Sequence, residues 1–220
     1  MPDLLFDIAH LLAGIMVLIS FLLLYQRRMS GVINTFAAHA SVLALAAAWQ
    51  AFVQNAPPLY ITAAIALGFK AIFIPVALHR IVRTMEIHRA VETVFGVALT
   101  MLVGVGLVAL SILVILPVTA ASEALARVDL VLALSVVLLG LLMMITRRNA
   151  IAQVIGFMSI ENGLILAAVG VRGMPLVVEL SVAFSVLIAF IVFGVFLFRI
   201  RERFDTLDVH HLHQFRGEAR

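Results

Sequence analysis

The chain contains no cysteine. That excludes disulfides, thiolate-bound zinc and cysteine-held iron–sulfur clusters, so any redox centre it serves belongs to a partner. Charge is also scarce: 12% of the 220 residues are Asp, Glu, Lys or Arg, against about 25% in an ordinary soluble domain. Lysine is almost missing. Lys70 stands alone, and the other 14 of the 15 basic residues are arginines spread in short clusters between apolar stretches. A nucleic-acid surface would gather them on one face instead.

What is present is apolar. Hydrophobic residues make up 64% of the chain, in runs of about 20, the length that carries a helix across a hydrocarbon core of roughly 30 Å. The fold class is therefore all-α, a polytopic membrane protein. Seven transmembrane helices are expected, at roughly 4–25, 31–54, 59–79, 93–116, 129–146, 150–171 and 176–198. Asp3 and Asp7 stand where a signal peptide has basic residues, and no small-residue cleavage site follows. The first span is expected to be a retained helix.

Arginine sets the expected orientation. Arg27 and Arg28 follow the first span, Arg80, Arg83 and Arg89 the third, and Arg147 and Arg148 the fifth; Arg199, Arg201, Arg203, Arg216 and Arg220 follow the seventh. Only Arg127 and Arg172 lie near the opposite ends. Twelve against two places the N-terminus outside and the C-terminus in the cytoplasm. The longest cytoplasmic segments, about 80–92 and 199–220, mix Arg, Glu and His. They are candidates for docking a soluble partner, or for contact with anionic lipid.

A faint echo runs through the chain at an offset of about 120 residues. Arg27-Arg28 opens the second span as Arg147-Arg148 opens the sixth, and His39 falls near the place of Glu161. Any repeat would be parallel, with the fourth span as spacer. Two arginines at a cytoplasmic helix start also arise from topology alone.

Polar residues at membrane depth are costly and default to function. Lys70 lies in the middle of the third span, where a lysine costs about 2.5 to 3.5 kcal/mol, and Pro75 just after it frees the carbonyl of Ala71. Glu161 is similarly central in the sixth span, with Asn162 beside it offering both a donor and an acceptor. These residues can exchange protons or can form a structural ion pair between the two spans. Glu179, about one turn into the seventh span, suits a proton path or the helix dipole, and Ser181 and Ser185 extend a polar stripe from it. His39 and His10 lie within the second and first spans, where histidine relays protons or bonds across a helix pair. His210, His211 and His213 lack a geometry-fixing metal motif and read as a solvated tail.

Several of these residues resemble a known family. Arg148-Asn149, Ile155-Gly156 and Asn162 look like the small K-type subunit of respiratory complex I. Nearly the whole chain is similar to component E of hydrogenase-4, a membrane subunit of energy-converting [NiFe] hydrogenases and formate hydrogenlyases. This likeness rests on Arg148-Asn149, Gln153, Gly156, Glu161-Asn162-Gly163, Val178-Glu179, Lys70, Pro75 and Thr206-Leu207-Asp208-Val209. The resemblance implies a subunit of the bacterial inner membrane that binds no cofactor or metal. Its partners would be antiporter-like subunits and a peripheral hydrogenase-type arm. It implies a four-helix region over 1–125, a three-helix K-type region over 126–199 and a cytoplasmic tail over 200–220. It also implies a line of charged residues through the membrane plane, with Lys70, Glu161, Glu179, Asn162, His39 and Ser185 as the candidate proton or ion path. Two positions depart from the pattern: Met158 stands where the K-type acid belongs, and Ser185 where the family commonly has aspartate.

The leading expectation is a membrane subunit of a proton- or ion-translocating oxidoreductase complex, not itself catalytic. The alternatives are a purely structural scaffold of such a complex and a stand-alone secondary transporter.

Overall fold

The computed structural model describes residues 2–84, 95–118 and 124–170, together with 187 and 194. The described segments are helical: α1 Pro2–Tyr25, α2 Met29–Gln54, α3 Pro58–Ile65, a π-helical segment Ala66–Phe73, α4 Ile74–Thr84, α5 Val97–Val118, α6 Ala124–Thr146 and α7 Ala150–Gly170. Because α3, the π segment and α4 form one continuous rod, these elements supply six helices long and apolar enough to cross a membrane. A helix pairs its own backbone groups internally, which is the condition for standing in lipid. The expected seventh span, 176–198, lies outside the described residues apart from Leu187 and Gly194.

Turn chemistry joins the rods where the sequence offers it. At the end of α2, Asn55 adopts a left-handed conformation (φ 53°). Its N–H donates to Phe52 O at 3.3 Å, and the Ala56 N–H donates to Ala51 O at 3.0 Å, the paired bonds of a Schellman cap. Pro58 then occupies the first turn of α3, where no donor is needed. At the start of α7 the Asn149 carboxamide accepts from the Ile151 N–H at 2.9 Å, an N-cap.

The third span differs from expectation in two ways. It continues to Thr84 rather than ending near 79, and its middle is π-helical over eight residues. Pro75 has no N–H and its ring crowds the carbonyl four residues back. The turn before it is widened, and the Ile74 N–H donates five residues back, to Phe69 O. The adjustment expected at the Ala71 carbonyl is thus spread over the whole segment that carries Lys70.

Two hairpins make the body of the protein. Helices α1 and α2 form one and α6 and α7 the other, with α1 packed on α6 and α2 on α7. Their arginine-bearing turns meet in a backbone bridge between Arg28 and Arg147. α2 is central, packing also on the α3–α4 rod, while α5 lies outside against α6 and α1. Glycine sets the closeness of α6 and α7. A Cβ on Gly163 would stand 2.9 Å from Val137 N and 3.0 Å from Ala133 O, and one on Gly156 would stand 2.9 Å from Met144 N. Only residues without side chains permit backbones to touch in this way.

Candidate functional site

The buried polar residues of four helical segments converge on the centre of the body. Lys70 lies 12 residues from Pro58 and 13 from Arg83, the two ends of its span, so it stands near the midplane. Glu161 and Asn162 hold the matching depth on α7, 11 and 12 residues after Ala150. The close approach of α6 through Gly156 and Gly163 fixes the rotation of α7. Glu161 and Asn162, which lie between these glycines in the sequence, are turned toward the α3–α4 rod and α2. Lys70, Glu161, Asn162 and His39 each have a relative exposure of 1% or less.

The contacts form one chain. Lys70 Nζ is in direct ion-pair contact with Glu161 Oε1 and donates to Asn162 Oδ1 at 2.9 Å. Asn162 Nδ2 lies 3.0 Å from His39 Nδ1, and His39 Nε2 lies 3.1 Å from Ser20 Oγ. Ser20 Oγ in turn donates to Met16 O at 2.9 Å. The donor sense of each step follows from its neighbour. A lysine ammonium only donates, so the Asn162 oxygen must face it and the amide nitrogen must face His39. His39 Nδ1 therefore accepts, Nε2 carries the proton and donates to Ser20, and the serine hydroxyl is left to donate to Met16 O. All donors point from Lys70 toward α1.

This order separates two kinds of role. A carboxylate and an ammonium in contact can pass a proton between them. An amide cannot pass one on without leaving its stable tautomer, so Asn162 interrupts any hop from Lys70 to His39. Asn162, His39 and Ser20 form a hydrogen-bonded line that ends on the ammonium. Glu161 Oε2, by contrast, is buried with no hydrogen-bond partner among the described residues.

Of the residues expected in a path, the structure brings together Lys70, Glu161, Asn162 and His39. Glu179 and Ser185 lie outside the described residues. His10 stands apart, 3.5 Å from Asp129 across α1 and α6. Three residues went unnoticed in the sequence. Nothing in the sequence marks Ser20 or Asp129 as the partner of a histidine on another helix. Arg147 was read as a topology marker, yet it is one of the largest fully buried side chains. Its Nη2 donates to Leu24 O at 2.6 Å and Leu23 O at 3.2 Å, supplying a cation to the last carbonyls of α1. It lies just past the end of its span, and burial pushes its pKa below the usual arginine value. The Gln153 carboxamide donates to Arg147 O at 2.9 Å, so the motif Arg147 to Gln153 is an interlocked turn. Among the described residues no group of three or more His, Asp or Glu is placed to hold a metal.

Six membrane-competent helices among the described residues and a buried charge pair define a multi-pass membrane protein. No family model and no solved structure matches the chain. It is 29% identical over 212 residues to hydrogenase-4 component E of Escherichia coli K12, covering 96% of this chain and 98% of that protein. Hydrogenase-4 component E of Shigella flexneri matches to the same extent. An uncharacterized protein of Mycobacterium tuberculosis, Rv0085, is 29% identical over 206 residues, covering 93% of this chain and 94% of its own length. The resemblance to hydrogenase-4 component E read from the residues is thereby supported along nearly the whole chain.

Proposed function

We propose that the chain is a membrane subunit of a proton- or ion-translocating oxidoreductase complex of the hydrogenase-4 or formate hydrogenlyase kind. The observation that carries this reading is the Lys70–Glu161 pair: two opposite charges in contact near the middle of their spans, one carboxylate oxygen without a partner among the described residues. The name of the relatives supplies the kind of complex. Coupling would be electrostatic. A unit charge arriving about 7 Å from the pair is worth about 2 kcal/mol at an effective dielectric of 20, enough to shift its protonation by more than one pKa unit. In this reading Glu161 Oε2, which has no partner among the described residues, would be the exit of the pair, with Glu179, Ser185 or a neighbouring subunit as the candidate next step. The N-terminus would lie outside the bacterial inner membrane and the C-terminus in the cytoplasm. Residues 126–199 would form a unit like the K-type subunit. The partners would be antiporter-like subunits in the membrane and a hydrogenase-type arm on the arginine-rich side.

The test replaces both charges together, Lys70→Met with Glu161→Gln, because removing a buried pair as a unit leaves no orphan charge. Redox-driven proton uptake is then measured in vesicles containing the whole complex. The expected result is an assembled complex that turns over without pumping. Pumping at the wild-type level would refute the reading.

The direct contact between Lys70 and Glu161 also favours a second reading, in which the pair only clamps the α3–α4 rod to α7. That scaffold predicts loss of assembly in the double variant rather than loss of pumping.

A further inference from the structure

At the arginine-bearing end, a cavity of about 890 Å³ opens between the start of α2 and the end of α4. Arg27, Arg28 and Arg83 line it with Ser30, Asn34 and His79, and no carboxylate is among the described lining residues. Three guanidinium groups around one space repel one another unless an anion joins them. Among the described residues neither of the ion pairs involves any of the three.

The backbone adds donors. The first helical bond of α2 runs from the Val32 N–H to Arg28 O at 3.0 Å. Of the lining residues, Met29 and Ser30 therefore have N–H groups without a carbonyl within the helix. Arg28 holds the N-cap position, and its side chain has no acceptor to offer them. His79 contributes too. Its Nδ1 donates to Pro75 O at 2.9 Å, which turns the ring and leaves Nε2 for another partner.

Depth selects the class of anion. Met29 is the first residue of its span and Arg83 the last of its own, so the cavity stands at headgroup level. Met29 and Val82 add an apolar wall. We propose that this cavity binds the phosphate of an anionic phospholipid, the arginines forking onto its oxygens and the glycerol end resting on Met29 and Val82. Its volume lies within the range of about 300 to 1,000 Å³ usual for small-molecule sites.

The experiment is native mass spectrometry of the full chain, or of the complex that contains it, released from mild detergent. The comparison is with Arg27→Gln/Arg28→Gln/Arg83→Gln and with Arg148→Gln, an arginine of the same end that does not line the cavity. Wild type and Arg148→Gln should retain a phosphatidylglycerol or cardiolipin mass that the triple variant holds about a hundredfold more weakly. Circular dichroism of the triple variant checks that its helices persist, and Arg28→Gln alone should give a partial loss. Excess inorganic phosphate separates the two sources of the same chemistry. Retention in phosphate supports the lipid, whereas displacement assigns the site to a soluble phosphate and overturns the lipid. Equal retention by the triple variant, or no lipid on the wild type, overturns the proposal entirely.

Discussion

The hairpins α1–α2 and α6–α7 share a plan: a membrane helix, a short turn with paired arginines, and a second membrane helix. They lie side by side, yet they are filled differently. The first contributes neutral groups to the centre, Ser20 and His39, whereas the second contributes Glu161 and Asn162. In the second, glycines bring the helix backbones into contact. In the first, a Cβ on Gly14 would meet nothing within 4 Å. The arginines divide likewise: Arg147 is buried as a cap for α1, and Arg28 is exposed to the cavity. The lesson is that charge is placed in the hairpin whose geometry is most constrained. The looser hairpin serves as a neutral wall whose hydrogen bonds end on its own backbone at Met16 O. A buried ion pair tolerates little movement, because its attraction must offset the desolvation of two ions.

The largest test of this contrast removes one charge alone. Lys70→Met or Glu161→Gln should each cost about 3 to 5 kcal/mol by leaving its partner buried and unpaired. The double variant should recover most of the loss, giving a strong coupling in a double-mutant cycle of thermal unfolding in nanodiscs. Additive single losses would show that the two residues do not act as a pair. Next, Arg147→Gln should lower stability by about 2 kcal/mol through loss of its charged bonds to α1. Arg28→Gln, its counterpart in the other hairpin, should leave the unfolding temperature nearly unchanged.

A smaller contrast sets glycine against glycine. Gly163→Ala must push α6 and α7 apart, at about 1 to 3 kcal/mol, while Gly14→Ala should be neutral or slightly favourable. Equal effects on the unfolding midpoint would remove the distinction between tight and loose hairpins. Smallest is Ser20→Ala, which leaves the His39 Nε2–H without its acceptor and should cost about 0.6 to 1 kcal/mol. Its diagnostic reading is the nitrogen-15 NMR signature of the ring. The tautomer should survive, because Asn162 sets it from the other side.

The conspicuous parts of the site were legible in the sequence because they are exceptions. A lysine and a glutamate inside apolar runs stand out against their background, and their equal depth follows from the rise per residue. The companions were not legible. Serine is common in membrane helices, where it can bond its own carbonyl four residues back. Nothing local distinguishes Ser20 from Ser41, whose hydroxyl donates only to Ala37 O at 2.8 Å. Arg147 and Arg27 look alike in the sequence. What separates them is the packing of α6 on α1, a contact between segments more than a hundred residues apart. The two turns that the echo at an offset of about 120 matched do meet at Arg28 and Arg147, but the echo itself carried no statement that they touch. Pro75 announced a backbone defect but not its form, because whether a helix kinks, opens or widens depends on the neighbours it must keep touching.

The widened turn around Lys70 has one further consequence. A π-helical segment is a dislocation in the helical lattice, one residue too many for its length, and a dislocation can glide. Passing a hydrogen bond from the fifth residue back to the fourth turns the passed residue by about 100° about the axis. The extra residue therefore sets the azimuth of Lys70 relative to the α4 end of the rod, and its contact with Glu161 is made in that register.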